Sequence, residues 1–503
     1  MKSEKKAAVL FSYINSILSI GVNIFWGPYL IHTLGDAEYG IYQMVASFAG
    51  YLVLMNFGTG TVMTRYVSLY KARQQEKEQK NFIAICLTIT AGLAILIAAA
   101  GAVLYLGLDR LYATLDEAQL AHAKVIYIVV VSNIICTLLY QAFDGIIMAY
   151  ERYMFSQVWT MGKTIVRVAV IGVLISRVPN AIIISLVDLA LSVTYLVISV
   201  YYVRVRLKVT WKLVYWDKFL LQEITSFSMA IFLQAFVNQV NSNVDKTLLG
   251  AMVSPESVSL YSLAMSISNI FITLSTALLG IYLPQFTKIL AETSDRSEVT
   301  KAAVKPARVQ FFISTTVLFG FTLCGKDFVV VWAGKEYLQV WDIAMILMVP
   351  MYFQYLTGIM ESVLDALGKR LFRSVILSVA AVGNVVVSIF LIRKMGVIGA
   401  PVGTALATIF FSVIVLNLYY HWGLGLRIDR LLRDMTKGLW KGEVGAFLVT
   451  LPFAILMDCN FLGLLVKGGA FVLALVVFEL LFGVSSDEKQ ELKRILMRAK
   501  GKK

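Results

Sequence analysis

Apolar runs of about twenty residues recur along the whole chain, and short polar segments separate them. A membrane-spanning helix needs about 20 apolar residues to cross a hydrocarbon layer about 30 Å thick. The pattern therefore predicts an all-α polytopic membrane protein with about fourteen spans. The predicted spans cover residues 7–33, 41–70, 81–107, 123–149, 157–178, 181–203, 223–252, 257–288, 307–332, 339–366, 372–392, 397–421, 442–458 and 460–483. No connecting segment is long enough to hold a folded domain of its own.

Composition and charge agree with a membrane protein. Hydrophobic residues make up 59% of the 503 positions and charged residues 15%, where a soluble domain carries about 25% charged residues. The chain holds 45 lysine and arginine residues against 31 acidic ones, and most of these cations lie in alternate connecting segments. Cytoplasmic loops of membrane proteins carry such an excess. The distribution predicts that both termini are cytosolic, and it accounts for the basic balance without a nucleic-acid partner.

The four cysteines and the three histidines are scattered along the chain. No two cysteines are closely spaced, and no cluster combines His and Cys, so the spacing typical of a structural metal site is missing from the sequence. We therefore expect no metal, no disulfide framework and no cofactor.

The fifth predicted span carries two cations inside an apolar run. Lys163 and Arg167 are four residues apart, so a helix places them on one face, one turn apart. If the span begins near Gln157, Arg167 lies roughly 15 Å along the helix, near the middle of the hydrocarbon. An arginine there costs at least ~3 kcal/mol unless it faces protein or water. Two interpretations follow: a water-filled cavity that receives an anionic molecule, or an ion pair with Asp188 or Asp144 on a neighbouring span.

The second span opens on the turn LGDAEYG at residues 34–40. Asp36 is positioned to cap the helix, and Glu38 lies in its first turn, where negative charge is favourable. Further along, the run NFGTG at 56–60 consists largely of small residues. Such a run allows either the close approach of a neighbouring helix or a local unwinding.

The seventh predicted span is the most polar one, with the run AFVNQVNSNVDK at 235–246. On a helix, Asn238, Asn241 and Asp245 fall on one narrow face, and Lys246 points about 100° away from Asp245. So many amides fit either a wall that faces water or hydrogen bonds between packed helices, each worth about 0.6 kcal/mol. The sequence leaves both possibilities open.

The chain repeats itself weakly, with six predicted spans in each copy. Residues 34–44, LGDAEYGIYQM, match 253–263, VSPESVSLYSL, and residues 149–155 match 366–372 at an equivalent place in the topology. An even number of spans per copy gives both halves the same orientation. The halves should therefore be related by an axis along the membrane normal, with a cavity between them.

The repeat predicts the domain organisation. The expected parts are an N-terminal lobe at 1–208, an interfacial linker at 209–222, a C-terminal lobe at 223–425, and the last two spans with a basic cytosolic tail at 426–503. In this register Lys163 and Arg167 match Ala380 and Asn384. The cations belong to one half only, which favours a functional role over a purely structural one.

These features resemble one family of membrane transporters. About fourteen spans, the six-plus-six repeat, the turn LGDAEYGIYQ at 34–43 and the Asp245–Lys246 dipeptide near the end of the seventh span are similar to the polysaccharide flippases of the MOP superfamily. The multidrug exporters called MATE and the lipid II flippase are relatives in that superfamily. The resemblance implies a two-lobed fold, alternating access and a location in the bacterial plasma membrane.

The resemblance implies as substrate an undecaprenyl-diphosphate-linked oligosaccharide, moved from the inner to the outer leaflet for O-antigen or another surface polysaccharide. Membrane lipids, a polysaccharide polymerase and chain-length machinery are the candidate partners. Arg167 and Lys163 suit the diphosphate, because Arg offers a bidentate fork and Lys a point charge. The candidate substrate-binding residues are Arg167, Lys163, Asn238, Asn241, Asn23 and Arg65. The candidate ion-coupling or gating residues are Asp245, Asp188, Lys246 and Asp144.

Three other functions compete with this hypothesis. A MATE-type cation-coupled multidrug exporter would need carboxylates towards its cargo, and Lys163 and Arg167 would repel cationic drugs. An enzyme acting on the same lipid usually needs a large outer loop or a cluster of carboxylates and histidines, and the sequence has neither. A membrane scaffold would leave the arginine with no purpose beyond packing. The first span has no basic residue where the lipid II flippase has an arginine, which argues against lipid II as the substrate.

Overall fold

The protein is described here by a computed structural model that covers residues 2–216, 218–277, 282–292 and 295–483. Within these ranges the chain forms helices joined by turns and short irregular segments, and no strand occurs. The structure divides into two compact units, with the boundary in the chain between Ser262 and Leu263. The all-α fold class that the apolar runs predict is confirmed.

The first unit contains eight described helices and the beginning of a ninth. Their bounds are α1 Lys2–Leu34, α2 Asp36–Ala49, α3 Thr59–Ala72, α4 Glu76–Leu111, α5 Glu117–Ala149, α6 Tyr153–Arg177, α7 Ala181–Tyr201, α8 Lys218–Met252 and α9 Pro255–Thr276. Apolar side chains from α3, α4 and α5 form a core in which Met63, Phe82 and Ile146 are fully buried. This core supports the helices that carry the predicted site.

The second unit contains the remaining described helices. Their bounds are α10 Leu283–Glu292, α11 Arg296–Trp332, α12 Gln339–Leu356, α13 Ile359–Ala366, α14 Arg370–Met395, α15 Gly399–Ala407, α16 Leu416–Leu418, α17 Ile428–Thr436, α18 Leu439–Leu456 and α19 Phe461–Phe478. Phe286, Val299 and Leu431 are fully buried in a core that joins α10, α11 and α17.

Within the described residues, each predicted span coincides with one helix or with consecutive helices. In the described part of the chain, ten helices are long and apolar enough to cross a membrane, or eleven if the bent pair Lys335–Leu356 and Ile359–Ala366 is one span. One of the ten, Phe372–Gly423, reverses direction within its length. A hydrogen bond of 3.1 Å between Asn384 and Thr404 shows this reversal. A straight helix would hold residues this far apart in sequence about 30 Å from each other. The count of fourteen spans stays a prediction.

The second predicted span is interrupted near its middle. A 3₁₀ segment, Gly50–Asn56, separates α2 from α3, and Phe57 and Gly58 have φ angles of 48° and 70°. At the same level Gly60 of α3 lies against Gly145 of α5, where an added Cβ would collide with the Gly60 carbonyl. Both alternatives that the small residues allow are realised, because the helix unwinds and a neighbouring helix approaches closely.

The two repeated segments at the starts of α2 and α9 contact each other. Ser259 Oγ donates a hydrogen bond of 2.6 Å to the carbonyl oxygen of Asp36, and the Pro255 carbonyl occupies the place of a side chain at Gly40. Asp36 is the first residue of α2, and Gly35 takes the cap position with a φ of 86° that glycine adopts without strain. The prediction that Asp36 caps the helix is therefore wrong.

The chain after α7 runs as an irregular segment at 207–216, and Asn81 on α4 holds it in place. Asn81 Oδ1 accepts hydrogen bonds from the amides of Val214 at 2.7 Å and Tyr215 at 3.2 Å. Asn81 Nδ2 donates to the Tyr215 carbonyl oxygen at 3.0 Å. The side chains of Val214, Tyr215 and Trp216 are exposed, as expected for a segment that lies on a membrane surface.

A buried ion pair attaches the last two predicted spans to the rest of the second unit. Lys467 Nζ on α19 lies 2.9 and 3.1 Å from the two carboxylate oxygens of Asp327 on α11, and the two side chains are 2% and 1% exposed. The Asn460 amide also donates to Asp327, and Lys467 donates to the Met457 carbonyl. Both charges are satisfied, so the pair is structural. The basic tail predicted at 484–503 lies outside the described residues.

We predict that Asn81→Ala releases the 207–216 segment. Two backbone amides lose their acceptor, which costs about 1–3 kcal/mol in local stability. Hydrogen exchange at Val214 and Tyr215 should accelerate by about tenfold or more. Thr88→Ala is a matched control, because the Thr88 hydroxyl donates to a carbonyl of its own helix. Equal protection of these two amides in both variants would contradict the assignment.

Candidate functional site

The two cations of the fifth predicted span lie on α6, and Arg167 is paired. Its Nε donates to Asp188 Oδ1 at 2.6 Å and its Nη2 to Asp188 Oδ2 at 3.0 Å. Asp188 lies on α7, so the ion pair with the following helix, one of the two interpretations left open by the sequence, is present. The two side chains are 26% and 17% exposed, so the pair is sheltered but still accessible.

The ion pair leaves part of the Arg167 guanidinium available. Arginine carries five N–H donors, and the fork to Asp188 uses two of them. The Arg167 side chain is also partly exposed, so its partner does not fully enclose it. The pair therefore fixes the orientation of the guanidinium without using all of its donors.

Lys163 lies one turn before Arg167 on the same face of α6. Its Nζ is 5.7 Å from the ring centre of Tyr140 on α5, within the range of a cation–π interaction. Lys163 is also close enough to Arg167 and Asp188 to interact with both charges. These three residues form one cluster, which we call the α6 cluster, with two positive charges and one negative charge.

Polar residues of α2 contact this cluster and a further cation. The Tyr42 side chain hydrogen-bonds with Arg167. The next residue, Gln43, accepts from Lys246 Nζ of α8 at 3.3 Å and donates to the Tyr39 hydroxyl at 2.8 Å. Sequence reasoning did not select Tyr42 or Gln43 as site residues, although both lie in the stretch EYGIYQ that carries the family resemblance.

Glu38 of the same stretch joins three helices. Its Oε1 accepts a hydrogen bond of 2.7 Å from the amide of Ala181, the first residue of α7. The same oxygen lies 2.6 Å from Nε2 of His122 on α5. A carboxylate at a helix N-terminus is favourable for its charge and for the hydrogen bond that it accepts. Glu38 thereby positions α7, which carries Asp188, against α2, which carries Tyr42.

A family model described as "Polysaccharide biosynthesis protein" matches residues 6–290, which is more than half of the chain. The chain belongs to this family. No curated protein matches the chain.

Several solved structures of transporters have the same fold as this chain. The lipid II flippase MurJ, in an inward closed conformation, matches with a TM-score of 0.74 at 15% identity, over 94% of this chain and 98% of that chain. An inward-facing multidrug resistance MATE family transporter of the MOP superfamily matches with a TM-score of 0.65 at 12% identity, over 84% and 98%. The MATE multidrug transporter DinF-BH matches with a TM-score of 0.54 at 13% identity, over 86% and 96%.

At these identities the structural likeness establishes the fold, and the family match is independent of it. The resemblance to the polysaccharide flippases of the MOP superfamily is confirmed. The family match, the shared fold and the apolar helices together support a multi-pass membrane protein.

Two further candidate ion-coupling residues, Asp144 and Asp245, accept hydrogen bonds from hydroxyl groups. Asp144 Oδ1 on α5 accepts from Ser156 Oγ at 3.0 Å and from the Tyr195 hydroxyl at 2.5 Å. Asp245 Oδ2 on α8 accepts from the Tyr261 hydroxyl at 2.5 Å. Ser156 lies three turns before Arg167 on α6, so Asp144 lies about 15 Å from the level of Arg167 along that helix. Asp188 is therefore the carboxylate that this cluster contains.

The remaining candidates differ in their placement. Asn23, Arg65 and Asn238 are exposed on α1, α3 and α8, and the side chain of Asn241 lies outside the described part of the structure. Along α1, Asn15 donates to Gln157 of α6, and Tyr29 donates to the Gly172 carbonyl, so the two helices run parallel and in contact. This packing brings Asn23 level with the turns of α6 that carry the cations. Arg65 stacks over the ring of its neighbour Tyr66 at 5.4 Å.

The second half of the repeat has a neutral bridge where the first half has the ion pair. Arg167 matches Asn384, and Asn384 Nδ2 donates to Thr404 Oγ1 at 3.1 Å. Both bridges link the fifth and sixth spans of their half. A polar bridge at this joint is therefore a structural feature that the halves share, and the positive charge is particular to the first half.

At a second contact between matched helices, the ion pair lies in the second half and the first half has no cation. In the first half Asp144 is bonded to Ser156, and in the second half the matching residues are Glu361 and Arg373, which form an ion pair of 2.5 Å. The two halves thus use matched positions but distribute charge differently between them. This exchange supports the repeat and gives each half its own electrostatic character.

We predict that the Arg167–Asp188 pair behaves as a coupled unit in stability. Arg167→Met leaves a sheltered carboxylate without its partner and should cost about 1–3 kcal/mol, reduced from the fully buried case by solvent exposure. Arg167→Met combined with Asp188→Leu should recover most of that loss, since the variant no longer contains a carboxylate that has lost its guanidinium partner. Thermal unfolding of the purified variants in detergent measures both. Additive losses in the double variant would contradict the coupling.

Proposed function

We propose that this protein is a flippase that moves an undecaprenyl-diphosphate-linked oligosaccharide from the inner to the outer leaflet by alternating access, for cell-surface polysaccharide synthesis. It would act in the bacterial plasma membrane with both termini in the cytosol. The observation that carries the proposal is the α6 cluster, with two cations and one carboxylate on helices that are largely apolar. A site of this kind is suited to an anion.

A diphosphate suits the α6 cluster because it combines several acceptor oxygens with more than one negative charge. Lys163 supplies a point charge, and the N–H groups of Arg167 that Asp188 leaves available supply directed donors. In the absence of substrate, Asp188 keeps the guanidinium oriented. When the substrate binds, Asp188 competes with the diphosphate for Arg167, which keeps binding reversible.

Amide side chains near the cations would contact the sugar in this proposal. Asn23, which the packing of α1 on α6 brings level with the cations, is one of them. Asn238 and Asn241 on α8 would add contacts to sugar hydroxyls, and Arg65 would provide a further cationic contact. The lipid tail would remain in the bilayer.

A route for coupling runs through α2. Tyr42 contacts Arg167 on α6, and its neighbour Gln43 contacts Lys246 on α8. A change of charge at Asp245, Lys246 or Asp188 can therefore act on the diphosphate contacts through one rigid helix. We assign ion coupling or gating to these three residues and to Asp144. A polysaccharide polymerase and chain-length machinery are the proposed partners on the product side.

Export of cationic drugs, the alternative suggested by the MATE relatives, fits the α6 cluster less well. A cationic molecule at this place would meet two positive charges and only one carboxylate, so electrostatic repulsion would oppose its binding.

The decisive measurement is transport by reconstituted variants. Vesicles would contain undecaprenyl diphosphate linked to a fluorescent sugar, and a membrane-impermeant quencher would report which leaflet the sugar occupies. The double variant Arg167→Met with Asp188→Leu, and the single variant Lys163→Gln, should each lower the initial rate by about tenfold or more. Each loses charge-assisted hydrogen bonds worth about 1.5–3 kcal/mol.

Asn384→Ala is the matched control, because it removes the equivalent neutral bridge in the second half. It should change the rate much less than either cation variant. Undiminished transport by both cation variants, at normal expression, would refute the binding role. Export of a cationic dye that depends on Asp188 and not on Lys163 would support drug export instead.

A further inference from the structure

The second unit contains a buried glutamate that the proposed transport site does not use. Glu443 lies in the second turn of α18 and is fully buried. Its Oε1 accepts a hydrogen bond of 2.7 Å from Thr316 Oγ1 on α11. Its Oε2 is buried and has no hydrogen-bond partner among the described residues. A carboxylate oxygen in this position has lost its water without gaining a donor.

A second carboxylate lies beside it. Glu479 follows the end of α19 and is 7% exposed. Its carboxyl group lies against Gly442, the residue before Glu443, and against Gly483, and an added Cβ on either glycine would collide with it. The two glycines therefore leave the space that the Glu479 side chain needs next to Glu443.

Other polar groups in the described part of the chain surround the pair but do not supply Glu443 Oε2 with a donor. Tyr352 on α12 approaches Glu443 and shares a hydrogen bond of 3.1 Å with Thr315. Arg308 on α11 donates to backbone carbonyls, at 2.7 Å to that of Lys437 and at 3.4 Å to that of Gly483. On α18 itself, Lys441 lies 5.9 Å from the ring of Trp440. These contacts lie near one end of α18 and α19.

The other buried or half-buried acids in these helices show what a stable carboxylate requires. Asp327 has the ammonium group of Lys467 and a backbone amide, and Glu361 has the guanidinium of Arg373. Glu443 has one hydroxyl donor and a second carboxyl group nearby. Glu443 is costly to keep ionised, because it is fully buried and its Oε2 has no donor among the described residues, and a proton on Glu443 removes that cost.

We propose that Glu443 and Glu479 form a proton-binding site between α11, α18 and α19. Binding of one proton from water converts Glu443 to the neutral acid, and the charge of the pair changes from −2 to −1. The acid keeps the bond from Thr316 at Oε1 and gains an O–H donor at Oε2 that the Glu479 carboxylate can accept. Loss of the proton would restore the negative charge of Glu443 beside the Glu479 carboxyl group. The site is distinct from the α6 cluster and is independent of which substrate is carried.

Labelling with N,N′-dicyclohexylcarbodiimide tests the proposal on the full-length wild-type protein in lipid vesicles. This apolar reagent reacts with protonated carboxyl groups, and peptide mass spectrometry locates the adduct. We expect labelling of Glu443 that declines as the pH rises. Glu361 and Asp327 are internal controls in the same sample, since their cationic partners keep them ionised, and both should remain unlabelled.

Two variants sharpen the measurement. Glu443→Gln should abolish the adduct in its peptide. Glu479→Gln removes the neighbouring charge, so half-maximal labelling of Glu443 should move to lower pH. Labelling of Glu443 that never exceeds that of Glu361 would overturn the proposal, and this arm needs no variant to fold. Protection of Glu443 by Na⁺ but not by choline at equal ionic strength would overturn it in favour of a metal cation.

Discussion

A charge inside a stack of apolar helices must have a partner, and this constraint organises the contacts between helices in both units. Contacts between apolar side chains have little directional preference, whereas an ion pair forms only when the two helices are in one register. Arg167 with Asp188 joins α6 to α7, and Lys467 with Asp327 joins α19 to α11. Each pair selects one arrangement among many that would bury similar apolar area.

The repeat shows how such joints can be varied without loss of the fold. The link between the fifth and sixth spans is ionic in the first half and an amide–hydroxyl bond in the second, where Asn384 meets Thr404. Since a neutral bridge suffices to hold the joint in one half, holding the helices together does not by itself require a guanidinium in the other. The additional cost of Arg167 in an apolar helix therefore needs another benefit, and anion binding is one.

Much of the fold follows from the apolar runs, because helix length in a membrane is set by the thickness of the hydrocarbon. The sequence leaves two possible ion-pair partners for Arg167, because Asp144 and Asp188 both lie on adjacent spans. Only the packing of the helices decides which of the two carboxylates Arg167 contacts. The roles of Tyr42, Gln43 and Glu38 depend on contacts with α6, α8 and α5, which no local pattern reveals. Glu443 was not singled out, because its neighbour Glu479 lies far along the chain.

Two ion pairs within this one chain differ in their exposure and in the donors that they leave available. Lys467 and Asp327 are 2% and 1% exposed, Lys467 donates to the Met457 carbonyl, and Asp327 accepts from the Asn460 backbone amide, so the pair is closed to an anion in the folded protein. Arg167 and Asp188 are 26% and 17% exposed, and the guanidinium uses two of its five donors in the fork. Such a pair is preorganised: the arginine loses little further rotamer entropy when an anion arrives. Lys163 beside it leaves the cluster with a net positive charge, which gives an incoming diphosphate an advantage over the resident carboxylate. Under the proposed function, the same residues would serve as a helix joint in the empty protein and as a phosphate site during transport.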